Sequence, residues 1–174
     1  MIISLIGFMA AGKTTMGSAL AQSLQCEFVD LDQYIEEKEG KTIAEIFVQN
    51  SESHFRELEE KYLEDLLEEH ISDNPETLED SAAPKCTLVL SVGGGCVMSD
   101  LCAELLERFT YCIYLECDFQ TLFARLNQPE EQAKRPLVTD AAQSAQMQEH
   151  LEKIFRQREP RYRKLARKTI QIGG

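Results

Sequence analysis

Ile2-Ile3-Ser4-Leu5-Ile6 reads as an apolar strand that runs straight into Gly7-Phe8-Met9-Ala10-Ala11-Gly12-Lys13-Thr14, and a helix-compatible stretch from Thr15 to Leu24 follows without a gap. The spacing G-x-x-x-x-G-K-[ST] between a strand and a helix constrains the chain more than any other feature. It lets successive backbone N–H groups curl around an anion at the positive end of the helix dipole. Ala10, Ala11, Gly12, Lys13, Thr14 and Thr15 are therefore candidate nucleotide ligands. Lys13 brings a point charge to the β- and γ-phosphates, and Thr14 brings a hydroxyl able to ligate Mg²⁺. The plain alternative is a glycine-rich helix entry that holds nothing, and the flanking strand and helix weigh against it.

A length of 174 residues suits one domain with a full core, and no Pro/Gly/Ser-rich linker divides residues 1–174. With 18 basic and 30 acidic residues the net charge is −12, which disfavours a general binder of nucleic acid or of anionic membrane. An anionic ligand must then meet a local basic cluster. One such cluster lies late, where Lys153, Arg156, Arg158, Arg161, Arg163, Lys164, Arg167 and Lys168 outnumber Glu152 and Glu159. The six cysteines form no C-x-x-C pair and sit in apolar patterns, so they read as buried, reduced thiols. The apolar start is too short for a secretory signal, and a cytoplasmic protein is expected. His54, His70 and His150 lack the spacing of a zinc site.

Apolar strand candidates at 2–6, 27–29, 88–92, 111–115 and 169–172 alternate with helical patterns at 13–24, 33–39, 42–50, 52–70, 99–108, 118–127 and 144–166. That alternation predicts an α/β three-layer architecture, a parallel sheet covered by helices on both faces. Ligands of such sheets bind beyond the carboxyl ends of the strands, so the loops after Ile6, Val29, Val92 and Leu115 should converge. Residues 72–87 mix acidic and small polar residues with Pro and read as an acidic surface insertion. Residues 127–143, polar and punctuated by Pro129 and Pro136, read as a mobile lid over the site.

Four constellations lie near those strand ends. Asp30 and Asp32, two apart at the end of the second strand, project toward one side; one can organise a metal's water shell while the other handles a hydroxyl proton. Asp32 could equally cap the helix that follows. Arg56 flanks an apolar helical stripe of Phe55, Leu58, Tyr62 and Leu66, and can either clamp a carboxylate or pair with Glu59 or Glu60 on its own helix. Gly93-Gly94-Gly95 directly follows the strand ending at Val92, where missing side chains permit close approach of a ligand or a simple turn. Ser91, just before, suits either a metal-bound water or strand packing. Arg158 shares the inward stripe of Leu151, Ile154, Phe155, Tyr162 and Leu165; a guanidinium there requires an anion, from a ligand or from a structural ion pair. Pro160 removes a helical hydrogen bond beside it.

The phosphate loop, Asp30-Leu31-Asp32, Phe55-Arg56-Glu57-Leu58-Glu59, Ser91-Val92-Gly93-Gly94-Gly95, Arg135-Pro136-Leu137 and Arg158-Glu159-Pro160-Arg161-Tyr162 together resemble the shikimate kinase family in order and spacing. The resemblance implies a P-loop kinase fold with a five-stranded parallel sheet in the order 2-3-1-4-5. It implies a substrate-binding helical region over 33–70 and a mobile lid over 127–143. It implies transfer of the ATP γ-phosphoryl group to the shikimate 3-hydroxyl in aromatic amino-acid biosynthesis. Under it Lys13, Asp32 and Arg135 are catalytic; Arg125 and Arg135 join the nucleotide ligands; Asp32, Arg56, Gly93, Gly94, Gly95 and Arg158 hold shikimate. Mg²⁺ is expected on Thr14 and, through water, Asp30, in a monomer whose partners are ATP and shikimate. Ala10 stands where the family usually has glycine. The rivals are a kinase of another small carboxylate such as gluconate, and a nucleotide-regulated module without transfer.

Overall fold

A computed structural model describes residues 1–72, 85–128 and 141–173 of the chain. Most of the expected insertion at 72–87, and most of the expected lid at 127–143 with Arg135, lie outside the described residues.

Strand β1 (Ile2–Ile6) occupies the middle of a five-stranded sheet with β2 (Glu27–Asp30), β3 (Leu88–Ser91), β4 (Thr110–Glu116) and β5 (Lys168–Gln171). The order is β2-β3-β1-β4-β5 and every pairing is parallel, as the family resemblance implies. Ile2 pairs with Leu88 on one side and Thr110 on the other, so the central strands start level and β4 runs on two residues beyond the end of β1. All residues of β1 and β3 are buried. Helices cover both faces of a parallel sheet, and its central strands therefore carry continuous apolar runs.

Alternation along the strands divides the core in two. Ile3, Leu5 and Val89 pack on one face with Ala21 of α1 (Lys13–Leu24). Ile2, Ile6, Leu88, Leu90, Cys112 and Tyr114 pack on the other, with Leu63 and Leu67 of α4 (Glu52–Ser72), Leu106 of α5 (Asp100–Phe109) and Tyr162 of α7 (Ala141–Leu165). The shorter helices α2 (Leu31–Glu39), α3 (Ile43–Gln49) and α6 (Phe119–Leu126) complete the described part. Caps define their starts: Thr42 and Glu45 form a reciprocal capping box on α3, and Asp118 accepts from Thr121 N on α6. Helix α7 continues through Pro160.

The predicted boundaries shift by two residues at α2, which begins at Leu31 rather than 33, and by three at α7, which begins at Ala141 rather than 144. The cap on α2 is Asp30, whose side chain accepts from Asp32 N, so the reading of Asp32 as the cap is corrected. Asp32 lies instead in the first turn, where a negative charge also complements the helix dipole.

Candidate active site

The turn after β1 closes with Ala11 N donating to Phe8 O at 3.3 Å, and Gly12, the residue just before α1, adopts φ +83°, a left-handed conformation that suits glycine. Ala10 is also left-handed at φ +60°. For a residue with a Cβ that conformation costs about 1–2 kcal/mol. Lys13 Nζ folds back along the loop and donates to Gly7 O and Phe8 O, each at 3.0 Å. Thr14 and Thr15 are exposed at the opening of α1, and Ala11 is buried beneath the loop.

Thr14 Oγ1 donates to Asp30 Oδ2 at 2.7 Å, which ties the first turn of α1 to the end of β2. Asp30 therefore does two tasks, with Oδ2 on Thr14 and Oδ1 accepting from Asp32 N at 3.1 Å. A hydroxyl and a carboxylate in contact are hard oxygen donors of the kind Mg²⁺ takes. Ser91 is buried and paired in register with Asp30. Among the described residues no group of three or more His, Cys, Asp or Glu is placed to hold a metal ion, so a cation here would depend on these few oxygens and on the phosphates of its nucleotide.

The side of the site facing the phosphate loop is built from three separate segments. Arg56 pairs through Nη1 with Glu59 and through Nη2 with Glu52 Oε1 at 3.1 Å. The intrahelical pair is thus present, but it is not a surface ornament, because Glu59 is only 1 % exposed and its Oε1 has no hydrogen-bond partner among the described residues. Burial is the largest influence on this carboxyl group; together with the nearby charge of Asp32 it overcomes Arg56 and Arg158 and lifts the pKa from 4.5 to about 7. Partial burial lowers the pKa of Arg56, yet Glu59 and Glu52 more than offset that and leave it raised.

The glycines between β3 and a 3-10 turn (Cys96–Met98) have a steric reason of their own. A Cβ on Gly93 would fall 2.6 Å from Glu59 Oε1 and 2.8 Å from Asp32 Oδ1, and one on Gly95 would fall 2.6 Å from Arg56 Nη1. Gly94 lies against the phosphate loop, where a Cβ would meet Gly7 O and Met9 N at 3.4 Å each. The absence of side chains on the turn thus leaves Glu59, Asp32 and Arg56 in place close above it.

Arg158 is half-buried, with its guanidinium carbon 6.0 Å from the Phe8 ring centroid, at cation–π range of a phosphate-loop residue. Its charge acts on Tyr162, whose hydroxyl donates to Gly94 O. Burial raises the Tyr162 pKa, and the charge of Arg158 opposes that shift, so the phenol stays a donor. Arg125 Nη1 donates to Ala10 O at 3.4 Å, and Gly173 sits beside the Arg125 and Thr121 side chains. The structure thus brings together Ala10, Lys13, Thr14, Asp30, Asp32, Arg56, Gly93, Gly94, Gly95 and Arg158, with Arg125 at the edge.

Two participants went unrecognised in the sequence. Glu59 was considered only as a partner for Arg56, yet its spacing of four from Phe55 and from Leu63 places it on the apolar stripe, and an acid on such a stripe is a signal. Tyr162 reads as core in the sequence, and its hydroxyl contact with Gly94 has no sequence signature. All six cysteines are free, and Cys26 alone is half-exposed rather than buried. No described helix is long and apolar enough to cross a membrane.

Comparison with known proteins places this geometry in a family. A family model described as shikimate kinase matches residues 9–174. The chain is 35% identical to the shikimate kinase of Chloroherpeton thalassium over 165 residues, covering 92% of this chain and 78% of the relative. It is 32% identical to that of Dictyoglomus turgidum over 170 residues, covering 98% and 87%. Among solved structures, shikimate kinase from Acinetobacter baumannii in complex with shikimate aligns with a TM-score of 0.76 at 33% identity, over 99% of this chain and 84% of that one. The enzyme from Bacteroides thetaiotaomicron aligns with a TM-score of 0.79 at 29% identity, over 98% and 85%.

Proposed function

Because the chain belongs to the shikimate kinase family, we infer that it transfers the γ-phosphoryl group of ATP to the 3-hydroxyl of shikimate, giving ADP and shikimate 3-phosphate. The observation that carries this reading is the meeting of Arg56 and Arg158, from two separate helices, around one buried acid beside the phosphate loop. Two guanidinium groups at one place suit a planar carboxylate, and the phosphate loop supplies the other substrate within reach.

The roles follow from chemistry. Lys13 leaves the carbonyls of Gly7 and Phe8 for the β- and γ-phosphates, and the loop N–H groups of Ala11 to Thr15 hold the same anion. Asp32, next to Gly93, accepts the proton of the 3-hydroxyl as its oxygen attacks phosphorus in line. Gly93, Gly94 and Gly95 give the acceptor a surface with no side chains. Thr14 and Asp30 fit Mg²⁺, Asp30 through water; the cation, when bound, neutralises charge on the β- and γ-phosphates. Arg125 meets the nucleotide base and Arg135, outside the described residues, the transferring phosphate, with 127–143 as lid and 33–70 as the acceptor-binding helical region. The protein acts as a cytoplasmic monomer.

Coupled ADP release with Mg-ATP and, separately, shikimate, gluconate or a nucleoside monophosphate tests the assignment. Shikimate-dependent turnover supports it. Turnover only with another acceptor rejects it, and ATP binding with no acceptor-dependent turnover indicates a regulatory module.

A further inference from the structure

We propose that Arg161 is a positioning residue that sets the geometry of the acceptor site, with Glu60 of α4 as its counterpart. The proposal rests on the assignment of Arg56 and Arg158 to the acceptor. The glycine segment passes into the 3-10 turn Cys96–Met98, held by Cys96 N to Gly93 O at 3.0 Å and Met98 N to Gly95 O at 2.9 Å. The carbonyls of Val97 and Met98 point instead to Arg161, whose Nη1 donates to them at 3.2 and 3.1 Å and to Asp100 Oδ1 at 2.9 Å. The next residue, Ser99, caps α5 by accepting from Cys102 N and donates its own proton to Glu60.

Each tie springs from a point one helical turn from an acceptor arginine. Arg161 is three residues after Arg158, and Glu60 is four residues after Arg56, so each tie lies on the same helical face as its arginine. Tyr162 adds a bond to Gly94 from the same turn of α7. Tyr162 thus holds Gly94 directly, while Arg161 from α7 and Glu60 from α4 hold the Val97–Ser99 segment that continues the glycine turn. The Nη1 amino group alone reaches all three acceptors, so its two N–H bonds are shared among the two carbonyls and the carboxylate. The ion pair with Asp100 contributes little, since Arg161 is 39% and Asp100 93% exposed. Removing Arg161 therefore disturbs placement more than stability.

Steady-state kinetics of Arg161→Met, with shikimate and ATP varied in turn, tests this, alongside thermal unfolding. The Met variant should raise KM for shikimate roughly tenfold and leave KM for ATP within about twofold, with little change in Tm. Arg161→Lys, which still donates to a carbonyl, should recover most of the loss, and Asp100→Asn should behave as wild type. An unchanged shikimate KM in the Met variant overturns the proposal. So does a rise in both KM values together with a fall in Tm, or a Lys variant no better than Met. A wild-type enzyme that turns over no shikimate overturns the acceptor assignment and the proposal with it; wild-type turnover beside an unaffected Met variant overturns the proposal alone.

Discussion

The phosphate loop and the acceptor side meet at Gly94 and Phe8, yet they are assembled by opposite strategies. The loop is one contiguous segment of backbone, and its cation Lys13 rests on the loop's own carbonyls. The side proposed for the acceptor is made of side chains from α2, α4 and α7: Arg56 pairs with Glu59 and Glu52 on α4, Asp32 and Arg158 act on the same buried Glu59 through their charges, and Arg158 lies against Phe8. A backbone site is defined by local spacing, whereas a side-chain site is defined by packing among distant elements. The first should respond to substitution through charge and backbone conformation, and the second through burial and hydrogen-bond geometry.

The sharpest way to break this contrast is Lys13→Ala. No other residue of the loop carries a positive charge, so kcat should fall on the order of 10²–10³-fold, read from ADP release. Near-normal turnover would mean that the acceptor-side arginines also serve the phosphates, and the division would fail.

Glu59→Gln probes the buried acid. A carboxyl group whose pKa is about 7 in the folded chain and 4.5 when unfolded binds more protons when folded between those values. Its stabilising effect is complete below about 4.5 and is lost as pH rises through about 7. The loss is on the order of 3 kcal/mol for a shift of this size. Glutamine stays neutral throughout, so the stability difference between variant and wild type should grow in favour of the variant from pH 4.5 to 7. Denaturant unfolding across that range measures it, and parallel curves would show that burial does not govern this group.

Arg158→Lys keeps the charge and loses the planar fork. Shikimate binding should weaken by on the order of 1–3 kcal/mol while ATP affinity holds. Titration calorimetry with each ligand separates the two, and an equal loss of both would place Arg158 in the phosphate region through its contact with Phe8.

The smallest effect belongs to the loop backbone. Ala10→Gly removes the Cβ from a left-handed residue, and should stabilise the protein by about 1 kcal/mol, less what the more flexible glycine gives back in the unfolded chain. A fall in Tm would show that the loop gains more from the restricted alanine than it loses to strain.

The two regions were also unequally legible in the sequence. Gly7 to Thr14 announce themselves because the chemistry, the turn and the helix start are consecutive residues, and the sheet follows from five apolar runs spaced by helices. Asp30 and Asp32 were correctly placed together, but which one caps α2 depends on a single residue of helix phase, and the cap fell to Asp30. Glu59 hid among the many acids of α4, and only its place on the buried stripe distinguishes it from Glu57, which is exposed. The grip of Tyr162 and Arg161 on the glycine turn and the segment that continues it joins residues more than 60 apart, and no local pattern encodes such a contact.

Asp30 belongs to both regions at once. Its Oδ2 receives the Thr14 hydroxyl and its Oδ1 fixes the amide of Asp32, so a single carboxylate is shared between the turn proposed to meet phosphate and the helix that carries the proposed proton acceptor. Occupancy on the nucleotide side that draws on Oδ2 therefore changes the free energy of the Asp32 end, and linkage requires the acceptor to return the same factor to the nucleotide. Any synergy between the two substrates has a physical address in this one side chain, and its size can be read as the ratio of shikimate Kd values measured with and without nucleotide.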